Sequence, residues 1–144
     1  VARTKMEEYV LEEQVGHLMR LANQRITAIF TELFDKFDLT PLQFAVIIKL
    51  ECVNEASQNH LGRMTGMDPN TARGVVQRLL ERGIIVRRKS ETDLRCLVLV
   101  LSNEGRKMAR SIESLGLQVG REALSPLNMK ERKTFLSMLK RLTF

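Results

Sequence analysis

Between Asp68 and Leu80 two kinds of side chain alternate with helical spacing. Ala72, Val75, Val76 and Leu79 fall on one face, which places Asn70, Thr71, Arg73, Gly74, Gln77 and Arg78 on the other. The outward set carries amide, hydroxyl and guanidinium donors of the kind that pair with base edges, Arg and Gln offering two parallel bonds each. Gly74, lacking a side chain, would let such a helix approach a groove closely. A second cluster follows. Arg87, Arg88 and Lys89 stand on one arm of an expected hairpin, and Asp93-Leu94-Arg95 lies at its tip. An arginine carried on such a tip suits a narrow, electronegative minor groove. Asp93 is expected to hold the Arg95 guanidinium by a bidentate pair. Ser57 and Gln58, at the start of the preceding helix, complete the candidate contact set.

Other chemistries find little support in the residue pattern. The two histidines, His17 and His60, are 43 positions apart, and neither has a second ligand at metal-binding spacing. There is no phosphate-cradling glycine loop and no nucleophile elbow. The expectation is a protein that is not an enzyme and needs no cofactor or metal. Cys52 and Cys96 read as free thiols in a reducing compartment. A redox-gated regulator using Cys52 is an alternative, although a lone thiol at a helix end is ordinarily a small buried hydrophobe.

The 144 residues are 44% hydrophobic and 28% charged, which fits one globular domain and excludes a large multidomain enzyme. Net charge is +6, and it is unevenly spread. Residues 1 to 56 hold 6 basic and 9 acidic side chains, whereas residues 57 to 107 hold 10 and 5 and residues 108 to 144 hold 7 and 3. Concentrated positive charge points to a polyanionic partner, because Lys and Arg that neutralise phosphates release condensed counterions. A basic dimeric protein-interaction module is the rival reading. No run is apolar enough to span a membrane, and the stretch from Val1 to Glu8 lacks the apolar core of a secretion signal. A soluble, cytoplasmic protein is expected.

These residues need elements to position them. Apolar residues at Leu11, Val15, Leu18, Ala22, Ile26, Ile29, Leu33 and Phe37 predict one helix from Leu11 to Phe37, roughly 40 Å long. That exceeds what a small lobe can cover. Thr40-Pro41-Leu42-Gln43 is a cap, first turn and capping box for a helix carrying Phe44, Ile47, Ile48 and Leu50. Ser57 opens a short helix closed at Gly66, and Asp68-Pro69 opens another that runs to Gly83. Ile84 to Lys89 and Arg95 to Leu101 then form a hairpin about Ser90-Glu91-Thr92-Asp93. Ser102 and Asn128-Met129-Lys130-Glu131 cap two last helices, with Met108, Ile112, Leu115, Val119 and Ala123 on one and Phe135, Leu136, Met138, Leu139 and Leu142 on the other. Gly116 and Gly120, four apart, suggest close backbone approach where helices cross.

Two short helices about a tight turn, followed by a hairpin, make a winged helix-turn-helix. At this point Asp93-x-Arg95 with Leu99-x-Leu101-Ser102-x-x-Gly105 resembles the wing-to-helix signature of the MarR family of bacterial transcriptional regulators. Leu39-Thr40-Pro41-Leu42-Gln43-Phe44 and Leu79-Leu80-Glu81-Arg82-Gly83-Ile84-Ile85 fit the same family pattern, so the likeness covers nearly the whole chain. One departure is Leu94, where a second arginine is common. The expected fold is mainly α (α+β), a single domain over 1-144. Within it, a winged lobe at 40-101 sits on a helical dimerisation region at 9-37 and 102-144. The resemblance implies a homodimer on a pseudo-palindromic operator in double-stranded DNA, and repression relieved by a small phenolic or aromatic-acid effector. In the family many such ligands bind between the first helix, the second helix and the lobe. Arg25, at the edge of the apolar stripe, is the preferred partner for a carboxylate. His17 and Arg20 lie farther round the same helix, and Phe44 offers an apolar wall.

Overall fold

The computed structural model describes residues 8 to 143, so most of the stretch read above for a secretion signal lies outside the described residues. Six helices and one hairpin follow in chain order: α1 (Val15–Leu33), α2 (Pro41–Val53), α3 (Gln58–Met64), α4 (Pro69–Glu81), β1 (Ile85–Lys89), β2 (Leu97–Leu101), α5 (Asn103–Ala123) and α6 (Met129–Leu142). Caps read from the sequence start five of them. Thr40 and Gln43 exchange bonds as a capping box at α2, as do Asn128 and Glu131 at α6. Ser57, Asp68 and Ser102 each accept a backbone N–H two or three residues into α3, α4 and α5. Gly66 and Gly83 take positive φ where α3 and α4 end.

The first helix is shorter than its periodicity predicts. Leu11–Glu13 and Asp35–Phe37 are separate 3₁₀ turns, leaving 19 residues of α-helix, or about 28 Å. Apolar spacing of three persists through a 3₁₀ turn, so the pattern does not reveal the breaks. At the N-terminal break the Gln14 amide donates to the Val10 carbonyl. At the C-terminal break Asp38 adopts a left-handed conformation, and Arg82 donates to the carbonyls of Phe37 and Asp38.

The core lies where α2, α3, α4 and the hairpin meet α5 and the end of α1. Val46, Ile47, Leu61, Leu79 and Ile112 are fully buried there, each worth roughly 1.5–3 kcal/mol relative to exposure. Phe30 and Phe34 stack at 4.0 Å, and the Phe44 ring meets both edge-on at 5.7 and 5.1 Å, pinning α1 to α2. Gly116 explains how α5 joins them, because a Cβ there would run into the Phe44 ring. Within this chain the close approach is made at Gly116, and a Cβ at Gly120 would meet nothing within 4 Å.

The strands pair antiparallel, with Ile85 opposite Leu101 and Lys89 opposite Leu97. The second begins two residues later than its sequence suggests. Arg95 and Cys96 belong to the turn instead, where the Cys96 N–H donates to the Asp93 carbonyl. Ala56 adds a bridge to the far side of Leu99, exchanging two backbone bonds, so β2 is flanked on both edges. Val98 through Leu101 are all buried, so both faces of β2 are covered, which accounts for its continuous apolar run. Among the described residues no helix is long and apolar enough to cross a membrane.

Candidate nucleic-acid interface

Asp68 starts α4 twice over: its carboxylate accepts the Thr71 N–H at 2.9 Å and the Thr71 hydroxyl at 2.7 Å. Those two donors hold its pKa below the ordinary aspartate value. Thr71 is therefore engaged in the cap. Behind it, Ala72, Val75, Val76 and Leu79 are buried, and Asn70, Arg73, Gly74, Gln77 and Arg78 are exposed. The Arg73 guanidinium donates to Asn70 Oδ1 at 3.0 Å, and the Gln77 amide donates to Glu81 at 3.2 Å, so two pairs of long side chains are ordered along the outer face. A Cβ at Gly74 would touch nothing within 4 Å, which leaves that surface open. Ser57 and Gln58 are half-buried at the start of α3, with Ser57 Oγ accepting the His60 N–H at 3.2 Å.

The wing is organised differently from its sequence-based reading. Asp93 does not pair with the Arg95 guanidinium. Its carboxylate instead accepts the Arg95 backbone N–H at 3.1 Å and faces Cys96 Sγ at 3.5 Å. A two-residue separation favours this Asx turn over a side-chain fork. Asp93 thus shapes the loop, and the Arg95 side chain is left exposed at the tip beside Leu94. The bond to Asp93 and its negative charge both raise the Cys96 pKa, which disfavours a reactive thiolate there. Arg88 is half-buried between two carboxylates, with Glu91 at 3.2 Å and Glu55 at 3.5 Å. Glu55 and its hydrogen-bonded neighbour Ser90 were missed in the sequence. The one available signal was an acidic residue standing two positions before the Ser57 cap.

The four candidate effector residues do not converge within one protomer. His17 Nδ1 and the Arg20 guanidinium bond to each other at 2.9 Å. Arg25, about 12 Å along α1 from His17, donates to the carbonyls of Ala123 at 2.6 Å and Glu122 at 2.9 Å, capping the C-terminal end of α5. Phe44 belongs to the aromatic cluster still farther on. Cys52 is exposed on the last turn of α2, not buried as a helix-end thiol ordinarily is. Among the described residues no three His, Cys, Asp or Glu side chains are grouped to hold a metal.

Away from this face, α6 buries none of its residues. Phe135, Met138 and Leu142 face Val15, Leu18 and Met19 of α1 across an apolar groove of about 460 Å³.

The MarR family model matches residues 39–97 of the chain, from the start of α2 to the start of β2. The transcriptional repressor NicR of Pseudomonas putida is 32% identical over 134 residues, 93% of this chain and 85% of that protein. A probable transcriptional regulator from Pseudomonas aeruginosa, known as a crystal structure, is 38% identical with a TM-score of 0.87, covering 92% of this chain and 99% of the other. BpsR of Bordetella bronchiseptica, whose DNA binding is regulated by 6-hydroxynicotinic acid, is 30% identical, also with a TM-score of 0.87, covering 94% and 97%.

Proposed function

The chain belongs to the MarR family of transcriptional regulators, and from that premise we propose that it acts as a homodimeric repressor released from a pseudo-palindromic operator by a small aromatic acid. The observation that carries the DNA reading is the outer face of α4. Asn70, Arg73, Gln77 and Arg78 are exposed there around an open Gly74, on a helix whose other face is sealed into the core. A dimer would place two such helices in successive major grooves, about 34 Å apart, with Arg88, Asp93 and Arg95 on the wings alongside. The apolar groove between α1 and α6 supplies a surface for the second copy.

The effector class is supported by similarity to BpsR and its hydroxynicotinate, and by a cation at a suggestive place. Arg25 ties α1 to the carbonyls that end α5. A carboxylate competing for that guanidinium would loosen the tie and shift the spacing of the two lobes. A tenfold loss of operator affinity needs about 1.4 kcal/mol of coupling, and DNA must then weaken ligand binding by the same factor. The test is calorimetry with hydroxynicotinate, benzoates and hydroxycinnamates, followed by operator titration at saturation. Binding that lowers operator affinity, and a response blunted in Arg25→Ala, are expected. Binding without any change in operator affinity would rule out the switch, and no binding would rule out the ligand class.

A further inference from the structure

At its turn the hairpin is tied to the body of the lobe by the side chain of Glu55. Asn54 ends α2 with φ 72° and ψ −49°, and the Glu55 N–H donates back to the Val53 carbonyl at 3.0 Å, forming a γ-turn of the rarer positive-φ kind. That sharp turn lets Ala56 bridge to Leu99 and carries Glu55 beneath the wing. There, Oε1 of Glu55 accepts the Ser90 hydroxyl proton at 2.8 Å. Ser90 is buried, 4% exposed, and its Oγ in turn accepts the N–H groups of Thr92 at 3.2 Å and Asp93 at 3.4 Å. Asp93 then accepts the Arg95 N–H. Glu55, Ser90 and Asp93 therefore link α2's end to Arg95, which presents the tip cation. The other oxygen, Oε2, is buried with no hydrogen-bond partner and faces Arg88 Nη2 at 3.5 Å.

From this arrangement we propose that Glu55 is a positioning and specificity-determining residue for DNA reading: it fixes the wing tip through Ser90 and withholds Arg88 from the phosphate backbone. The inference rests on the DNA-binding reading above. Glu55, not Glu91, does the withholding although Glu91 is nearer. The Glu91 side chain is 80% exposed and that of Glu55 only 22%, so solvent screens the first attraction much more than the second. An arginine so held adds little sequence-independent attraction, while Arg95, on a braced loop, is delivered in one geometry. The wing thereby favours its operator over random duplex.

Glu55→Gln separates the two roles, because its amide oxygen still accepts from Ser90 while the charge holding Arg88 is gone. Ser90→Ala does the reverse. Affinity would be measured by fluorescence anisotropy across salt concentrations. The probes are sheared mixed-sequence duplex and an operator selected from a random-duplex pool by the wild-type protein, with melting curves alongside. For Glu55→Gln on mixed-sequence duplex, one additional phosphate contact per protomer is expected to steepen the log-log salt slope by about 0.9. Its affinity would then fall roughly 3.5-fold more, per protomer, than the wild type's between 50 and 200 mM salt. The operator-over-random ratio should drop in both variants, and the slope of Ser90→Ala should stay at the wild-type value. Adding Arg88→Gln to Glu55→Gln should restore the slope. A Glu55→Gln slope equal to the wild type's, with only the melting temperature changed, would overturn this inference and leave the DNA-binding reading standing. Failure of the wild type to bind either duplex would overturn both.

Discussion

Beneath α4, Leu61, Val76 and Leu79 are sealed from solvent, whereas along α6 no residue is buried and Phe135, Leu136 and Met138 stand open beside the exposed Val15, Leu18 and Met19 of α1. Both regions are built from helices, and every one but α1 starts at a side-chain cap. The lobe finds a second face for each apolar stripe within its own chain, because α2 and β2 pack on α5 while α3 and α4 pack on α2 and on each other. The α1–α6 region has apolar surface and no cover. One half of the molecule is stabilised by packing that exists in a single chain, and the other presents apolar surface that the proposed second copy would cover.

Core truncation should mark that contrast most strongly. Leu61→Ala removes a fully buried side chain under the contact helix and is expected to cost about 2–5 kcal/mol. The loss should appear as a lowered denaturation midpoint, by an amount that does not depend on protein concentration. Phe135→Glu, on the exposed face of α6, should act the other way. It is expected to weaken dimerisation by about 2 kcal/mol or more, roughly thirtyfold, leaving the lobe's hydrogen-exchange protection intact. Sedimentation velocity over a range of concentrations distinguishes the two. Equal, concentration-independent effects would mean that α6 packs within its own chain.

A smaller effect separates the wing from basic surface elsewhere. Arg95→Ala and Arg121→Ala remove the same charge, one from the hairpin tip and one from the last turn of α5. The first should weaken operator binding by about 1 kcal/mol or more and reduce the salt slope by about one. Equal losses would indicate a diffuse attraction.

The sequence made local structure legible because capping and turns are decided within about four residues. Thr40 with Gln43, Asp68 with Thr71, and Asn128 with Glu131 act as their spacing implies. The exposed face of α4 was readable for the same reason, since burial on one side of a helix dictates what remains on the other. What escaped was set by contacts between distant positions. Glu55 meets Ser90, Arg25 meets the end of α5, Arg82 meets the end of α1, and the Phe44 ring fills the gap at Gly116. No periodicity encodes such pairs. The Asp93–Arg95 fork was misread because a local rule was applied to side chains when the backbone N–H was the nearer donor.

The smallest predicted effect is a pH dependence at the start of α4. Because the Thr71 hydroxyl and N–H hold the Asp68 pKa below its ordinary value, the stabilisation is complete above the ordinary aspartate pKa. It fades as pH falls through the lowered folded value. Asp68→Asn should therefore flatten the acid limb of the stability curve below about pH 4 and leave the neutral region little changed. An identical acid limb in the variant would show that the cap carries no linked proton.

The central claim, that two identical lobes read one DNA site together, is tested most directly by selecting duplexes from a random pool and measuring how many protomers each winner binds. The expected result is an inverted repeat with half-site centres about 34 Å apart, occupied by two protomers at once, with affinity lost when either half-site is scrambled. Enrichment of a single half-site bound by one protomer, or no enrichment at all, would contradict it.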